Sequence, residues 1–397
     1  MRLTNDNIMA AFREAAARQQ AGDFAAAAEL WEEIVAAAPA SAEASYNLGR
    51  TRAELGQFKE AEMAYRRAVA LKPGAVWAQS ALAGLLHLTG DWREAETPYA
   101  AALALTPDDA RLRTDLGHLR LGLGDFAGGW PLYEARKLLP GPESRPLPMD
   151  NEWRGEPIAR RSLLIWPEQG FGDLIQFARY APVLQARGAD VTLVSPPELT
   201  ALLSQLPVRV VEHSKSMTLP APDYWTLAMS VPGHLGLSVA DLSGEAYLQA
   251  PADRRKRWAG QVPKPAVGIA WRGRSTHPND ARRSLPSAES LLEPLRAAGL
   301  TPVDLSEPIG DFADLAAIIE QLELVVSVDT AVAHLAGALG KPCWLLLPRL
   351  RQDWRWFQDR DDTPWYDSVR LFRQGPEADW APVMARVAAE AKVLASR

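Results

Sequence analysis

The pattern of apolar and polar positions divides the chain into two parts. Up to about residue 139 it predicts paired helices and no strands. The stretch "PGPESRPLPMDNEWRGEPIARR" (140–161) is rich in proline and charge and reads as a linker. Beyond it the period changes. "SLLIWP" reads as a buried strand, "DLIQFARYAPVLQARG" as an amphipathic helix closed by Gly188, and "DVTLVS" as a second strand. "ELTALLSQL" gives a helix, "VRVVE" a third strand and "YWTLAMS" a fourth. A second series opens at "AVGIAW". Helix "SAESLLEPLRAAG", strand "TPVDLS", helix "DFADLAAIIEQL", strand "LVVSV", a helix through "DTAVAHLAGALG" and strand "CWLLLP" follow. The chain closes on a long helix, "WAPVMARVAAEAKVLAS". Alternating strands and helices predict parallel sheets covered on both faces. Two such sets make two Rossmann-like lobes, 162–262 and 263–397, that face a cleft. In open α/β sheets that cleft, beyond the carboxyl ends of the strands, is where ligands bind.

The helical part is periodic. "GDF" at Gly22, "GQF" at Gly56, "GDW" at Gly90 and "GDF" at Gly124 recur every 34 residues. Pro39, Pro73 and Pro107 keep the same interval, as do Ala27, Ala61 and Ala95. Trp31, Tyr65 and Tyr99 supply an aromatic that packs between paired helices, and Leu48-Gly49 and Leu82-Ala83 supply the small contact. These positions resemble the tetratricopeptide repeat, which implies a helical solenoid over 1–139. The fourth unit, from about Asp109, begins regularly with Leu116-Gly117 and then departs. Gly129 replaces the usual alanine, and "GWPLYEARKLLPGP" ends the unit early. A stack of repeats needs a terminal unit with a different outer face, so the departure reads as a cap. Stacked helix pairs make a groove suited to a peptide or another protein; a plain helical spacer is the other reading.

Composition narrows the setting. A chain of 397 residues suggests two or three domains, and 47% hydrophobic with 23% charged residues is a globular mixture. The net charge of -6 argues against a general nucleic-acid binder. Cys343 is the only cysteine, which excludes an intramolecular disulfide and a cysteine zinc site. No apolar run reaches about 18 residues, so no transmembrane segment is expected. The opening "MRLTNDNIMAAFREAAARQQ" lacks the apolar core of a signal peptide, and a cytoplasmic home is expected.

Candidate chemistry lies at strand ends. The first strand of the first lobe runs into "PEQGFGDLIQF", where Gln169, Gly170 and Gly172 shape a turn and Asp173 stands at a helix start. Asp173 is either a helix cap or a general base at the cleft mouth. The turn is not the dinucleotide fingerprint, because its third glycine and later acidic partner are missing, and this removes a nicotinamide-dependent oxidoreductase from consideration. In the second lobe "GIAWRGRSTHPNDARRSLP" carries Arg272, Arg274, Arg282, Arg283 and His277 after the first strand. Such a basic loop suits a diphosphate, since arginine forks match phosphate oxygens in pairs. Arg274 and Arg282 read as solvated, and so does "RRKRW" (254–258), taken as a hinge face. After "LVVSV", Asp329 or Thr330 caps the next helix, leaving N–H groups over Thr330, Ala331 and Val332 that can hold an anion. His334, one turn in, either reaches a phosphate or sugar oxygen or is a core histidine bonded to backbone. Trp271, Trp354, Trp356 and Trp365 stack on a base or sugar or are simply buried, burial being expected for at least half.

At these residues the chain resembles the heptosyltransferase family (glycosyltransferase family 9). Its donor motif, Asp-Thr-Gly-x-x-His-x-Ala, is matched by "DTAVAHLAGALGKP" with Ala331 in place of glycine. The family's Gly-Asp after the first strand is matched by Gly172-Asp173, and its lysine by Arg283 in "RSLP". The resemblance covers about Arg161 to Arg397. It is closest to bacterial proteins that join tetratricopeptide repeats to such a transferase and share "EQGFGDLIQFARYAP" and "DWRW". It implies a GT-B glycosyltransferase fold, a nucleotide-sugar donor in the second lobe, inversion at the anomeric carbon, and no metal or other cofactor. Thr330, Ala331 and Val332 would offer amides to the diphosphate, and Arg283 would neutralise it. Asp329 and His334 would sit beside the sugar or phosphates, Trp271 and Arg272 would belong to the donor site, and Asp173 would deprotonate the acceptor. The family's remaining acidic residue has no secure match, Glu307 being nearest. The expectation is therefore an α + α/β chain whose repeats recruit a protein, peptide or glycan acceptor to a transferase. A non-enzymatic repeat scaffold with a degenerate transferase module is the competing expectation.

Overall fold

A computed structural model describes residues 7–140, 150–214, 220–274, 279–307 and 309–396. The chain divides into two compact units, one of Met1–Leu123 with Pro131–Arg136, the other of Gly124–Trp130 with Lys137–Arg397. The first is all helical and the second is built on parallel sheets, an α + α/β chain as expected.

The first unit stacks helices α1 (Ile8–Gln20), α2 (Phe24–Ala37), α3 (Ala42–Glu54), α4 (Phe58–Leu71), α5 (Val76–Thr89), α6 (Trp92–Leu105) and α7 (Ala110–Gly122). The repeated glycines explain the period. Gly22, Gly56, Gly90 and Gly124 all adopt left-handed backbone, with φ of 81°, 74°, 86° and 86°, a conformation glycine enters without steric cost. Ser41 and Asp109 cap α3 and α7 by accepting from Ala44 N at 3.0 Å and Leu112 N at 3.0 Å. The small-and-aromatic contact is as read: a Cβ at Gly49 would lie 2.7 Å from the Tyr65 ring. An unforeseen second case is Gly122, where a Cβ would meet Trp92 at 2.2 Å.

Helix α8 (Phe126–Tyr133) has 8 residues against 14 in α2, and Pro131 lies within it. The shortening agrees with the sequence reading, and the different outer face expected of a terminal unit is an aromatic one. Phe126 and Trp130 are 2% and 3% exposed, packed into the second unit against Trp354 at 6.3 and 5.4 Å between ring centroids. Where a cap would turn polar residues to solvent, this helix buries its aromatic ones.

The stretch read as a linker is described from Asp150 onward, and there it is packed. Trp153 is buried, its N–H donating to Trp225 O at 2.8 Å, and Ile158 is buried as well. The first sheet holds β1 (Ser162–Trp166), β2 (Asp190–Ser195), β3 (Arg209–Glu212) and β4 (Tyr224–Leu227), all parallel in the order β3-β2-β1-β4. The single helix expected after β1 is two, α9 (Phe171–Phe177) and α10 (Tyr180–Ala186), with buried Arg179 at the break. Helices α11 (Pro197–Leu203) and α12 (Val231–His234) complete this lobe.

Helix α13 (Ala252–Trp258) corrects the hinge reading of "RRKRW". Arg254 pairs with Asp314 at 3.1 Å and Asp311 at 3.2 Å, and the Trp258 indole donates to Asp314 at 2.7 Å. Asp314 is 3% exposed and holds Arg254 half-buried, while Arg255, Lys256 and Arg257 stay exposed as read. The second sheet contains β5 (Ala266–Ala270), β6 (Thr301–Asp304), β7 (Leu324–Val328), β8 (Cys343–Leu347) and β9 (Val369–Arg373), parallel in the order β6-β5-β7-β8-β9. Around it lie α14 (Asp280–Arg283), α15 (Glu289–Ala297), α16 (Phe312–Ile319), α17 (Ala331–Ala338) and α18 (Ala381–Ala395). Its core joins Val267, Ile269, Leu291, Val326, Leu346 and Val387. Strand β9 was not foreseen, since "VRLFR" alternates charge with apolar residues between turn-rich stretches.

Candidate active site

Each sheet has one point where the strand order reverses, between β1 and β4 in the first and between β5 and β7 in the second. The candidate residues come from the loops at these two points, as open α/β sheets lead one to expect.

At the first, Glu168 is buried and accepts from Met229 N at 3.2 Å, tying the loops after β1 and β4 together. Gln169 and Gly170 are exposed, and Gln169 takes φ 56°. Asp173 stands in the first turn of α9, and one carboxylate oxygen accepts from Gly170 N at 2.8 Å. The N-cap is Gly170, so Asp173 is not the cap the sequence suggests; it lies inside the first turn and reaches back to that residue's amide. The other carboxylate oxygen accepts from the Arg355 guanidinium. Gly172 lies against the second lobe: a Cβ there would be 2.7 Å from His334 Cδ2 and 3.4 Å from Ala331 Cα. Only glycine lets the starts of α9 and α17 approach so closely.

At the second point, Thr330 occupies the N-cap position of α17 in extended backbone, φ -142° and ψ 172°. Its hydroxyl lies 3.2 Å from that of Ser327, and no side chain caps the helix, contrary to the expectation that Asp329 or Thr330 would. Ala331 and Val332 therefore begin a helix whose first-turn amides have no side-chain acceptor among the described residues. Arg283, half-buried on α14, donates from Nη1 to the Asp329 carbonyl at 2.9 Å and lies 3.4 Å from Asp280. It spans the second reversal point as Glu168 spans the first.

His334 is 6% exposed, with Nδ1 3.0 Å from the Tyr366 hydroxyl and its ring 5.2 Å from that of Trp356. Burial, helped by the Arg355 charge, pushes its pKa down to about 3, so the imidazole is neutral near pH 7. Its partner is a side-chain hydroxyl rather than backbone. Burial raises the Asp173 pKa; the Arg355 charge opposes this, Asp353 and Glu168 add to it, and the Gly170 N–H favours the ionised form. Burial and then Asp353 also raise the pKa of Asp329, against Arg283.

Trp271 and Arg272 sit toward β6. The Trp271 N–H donates to Ser306 Oγ at 3.1 Å and its indole to Asp304 at 3.3 Å, while Arg272 stacks on Trp271 at 5.0 Å and pairs with Glu307. No hydrogen bond among the described residues joins these two to Asp173 or Asp329. Arg282 is exposed as read. Arg274 is exposed as read too, with its guanidinium 4.9 Å from the Phe171 ring beside Gly170. His277 lies outside the described residues. Trp354, Trp356 and Trp365 are buried, in line with the larger share expected.

Arg355, Asp353 and Tyr366 were assigned no role from sequence, although "DWRW" was singled out as a stretch. Gln176 was missed too. It follows Asp173 by three positions on α9, which places it on the same face. It is fully buried, and neither amide atom has a partner among the described residues.

Comparison with known proteins gives four findings. Residues 12–76 and 53–119 each match a model described as Tetratricopeptide repeat. Residues 291–345 match Glycosyltransferase family 9 (heptosyltransferase), a span that contains Asp329, Thr330, Ala331, Val332 and His334. Protein FlbA of Caulobacter vibrioides is 28% identical over 320 residues, covering 68% of this chain and 52% of that protein. The chain thus spans about half the length of that curated relative. Among solved structures, MamA from Desulfovibrio magneticus is 20% identical with a TM-score of 0.32, covering 34% of this chain and 75% of that one. The first repeat domain of Spaghetti (RPAP3), solved with an HSP90 peptide, is 19% identical with a TM-score of 0.30, covering 31% of this chain and 98% of that one. The chain therefore joins tetratricopeptide repeats in its N-terminal region to a C-terminal region that matches glycosyltransferase family 9.

Proposed function

We propose that this protein is an inverting glycosyltransferase that moves a sugar from a nucleotide-sugar donor to an acceptor brought by the repeats. The observation that carries the reading is the meeting of Asp173, from the first lobe, with the uncapped start of α17 in the second, at Gly172. The family 9 match over α17 supports it. The donor diphosphate rests on the amides of Ala331 and Val332 and is neutralised by Arg283, a helix start and an arginine supplying the positive charge without a metal ion. The acceptor oxygen attacks the anomeric carbon on the face opposite the diphosphate. Its proton passes to Asp173, the bond to the diphosphate breaks, and the electron pair leaves on the diphosphate oxygen. His334, kept neutral, hydrogen-bonds a sugar or phosphate oxygen rather than adding charge. A protein or peptide acceptor occupies the repeat groove, in a cytoplasmic setting. No helix among the described residues is long and apolar enough to cross a membrane.

Thermal unfolding with ADP, GDP, UDP, CDP and dTDP, each alone and as common sugar conjugates, tests the donor. A ligand at about 100 times its Kd stabilises the fold by roughly 2.7 kcal/mol, which is several degrees in a unit of this size. One base winning identifies the donor class. No shift with any of them, from folded protein, favours the non-enzymatic scaffold.

A further inference from the structure

We propose that Arg355 is a positioning residue: it fixes the orientation of the Asp173 carboxylate and pairs with its charge, so the base of the first lobe is set by a side chain of the second. This rests on the reading that Asp173 takes the acceptor proton.

The geometry is that of a wedge between lobes. Arg355 lies in the 3-10 turn Trp354–Trp356 after β8 and is 4% exposed. Its Nη1 donates to both oxygens of Asp353, at 3.0 and 2.8 Å, which leaves Nη2 for Asp173. The Phe177 and Trp354 rings lie 5.3 and 5.0 Å from the guanidinium, and the Met229 sulfur is 3.8 Å from Nη2. Three first-lobe residues, Asp173, Phe177 and Met229, therefore receive one second-lobe cation. A planar guanidinium held on one side by a carboxylate has little freedom to turn away from a second.

The turn is itself braced. Arg373, at the end of β9, donates to the carbonyls of Trp356 at 2.5 Å and Arg360 at 3.0 Å, and to Gln352 Oε1 at 2.8 Å. Asp353 also accepts from Arg355 N at 2.9 Å. Phe126 and Trp130 form a wall behind Trp354, and Phe126 stacks on Phe357 at 6.4 Å. The Asp173 loop, by contrast, is exposed at Gln169 and Gly170.

The charged and titratable groups around Asp173 are Arg355 and Asp353 from the turn, Glu168 from its own loop, and Asp329 and His334 from the β7–α17 side. Arg355 is the cation in contact with it, so its removal leaves carboxylates to dominate. Full-length protein labelled with carbon-13 at aspartate carboxyls reads this directly, the Asp173 signal being the one lost in Asp173→Asn. In Arg355→Gln its titration midpoint should rise by about one to three pH units. An unchanged midpoint in folded Arg355→Gln overturns the proposal. Should that variant not fold, the wild-type chain decides. A buried pair resists screening, so the midpoint should hold between about 0.05 and 0.5 M salt, and a midpoint that follows salt overturns the proposal. Neither measurement requires turnover, so failure here and failure of the transferase reading are separate results. With a donor in hand, the acid limb of kcat/KM in Arg355→Gln should move up with the midpoint, which a purely structural role would not cause.

Discussion

The starts of α9 and α17 face each other from equivalent places in two sheets, and they are built differently. Asp173, in the first turn of α9, reaches back to accept from the amide of the N-cap residue Gly170, whereas no side chain among the described residues accepts from the start of α17. Among those residues neither helix has a side chain on its first-turn amides; the two differ in the carboxylate that reaches back to the N-cap amide of α9 and has no counterpart in α17. The same carboxylate has a second oxygen turned to Arg355. One lobe thus contributes a carboxylate held in place, and the other contributes first-turn amides without a side-chain acceptor, with Arg283 beside them. The difference teaches that the lobes are not two copies of one binding site but complementary halves.

Asp173→Asn breaks this division most severely. Asparagine can still accept from Gly170 N, so that contact survives while the base is lost. Transfer should fall by about 10²–10⁴, with nucleotide binding by thermal shift unchanged; collapse of binding would make Asp173 structural. Phe126→Ala removes part of the wall behind Trp354 and should cost about 3–5 kcal/mol of stability, read by urea unfolding of the full chain. A loss below about 1 kcal/mol would mean the wall is not a packed core. Arg283→Ala strips the anion seat of its cation. Nucleoside diphosphate affinity should weaken by about 1.5–3 kcal/mol by calorimetry, and wild-type affinity would place the phosphate elsewhere. Gly172→Ala pushes a methyl into His334 and should cost about 1–3 kcal/mol, with a lowered Tm as the reading. The finest test is pH. His334 binds its proton in the folded state only near pH 3, against about 6.5 when unfolded. The unfolded state therefore holds more protons between these values, and stability falls as pH drops through that window. His334→Gln should flatten the slope by about one proton, near 1.4 kcal/mol per pH unit; an unaltered slope would mean that His334 is not the group responsible.

Local pattern made much of this legible. The glycines at intervals of 34 announced the repeat turns because each needs a left-handed backbone. Asp173, Asp329 and His334 stood out because strand-to-helix junctions are short and their residue types few. What stayed hidden were pairings across long stretches of chain. Arg355 meets Asp173 182 positions away, and nothing within "DWRW" signals that partner. Asp314 pairs with Arg254 from 60 positions away, so one residue of a basic run that is otherwise solvated is anchored. Strand β9 was hidden by its charged residues, one of which, Arg373, turns out to hold the loop that carries Arg355.

Phe126 and Trp130 bear on how such a chain is assembled over evolution. They belong by sequence to the fourth repeat and by packing to the α/β unit. An array of repeats joined by recombination to the N-terminal side of these lobes cannot be exchanged at the end of the last repeat. The crossover must fall before Gly124, or the incoming array must bring its own aromatic pair. By packing, the junction between the two parts belongs with the lobes, and modularity stops short of where the repeat pattern ends.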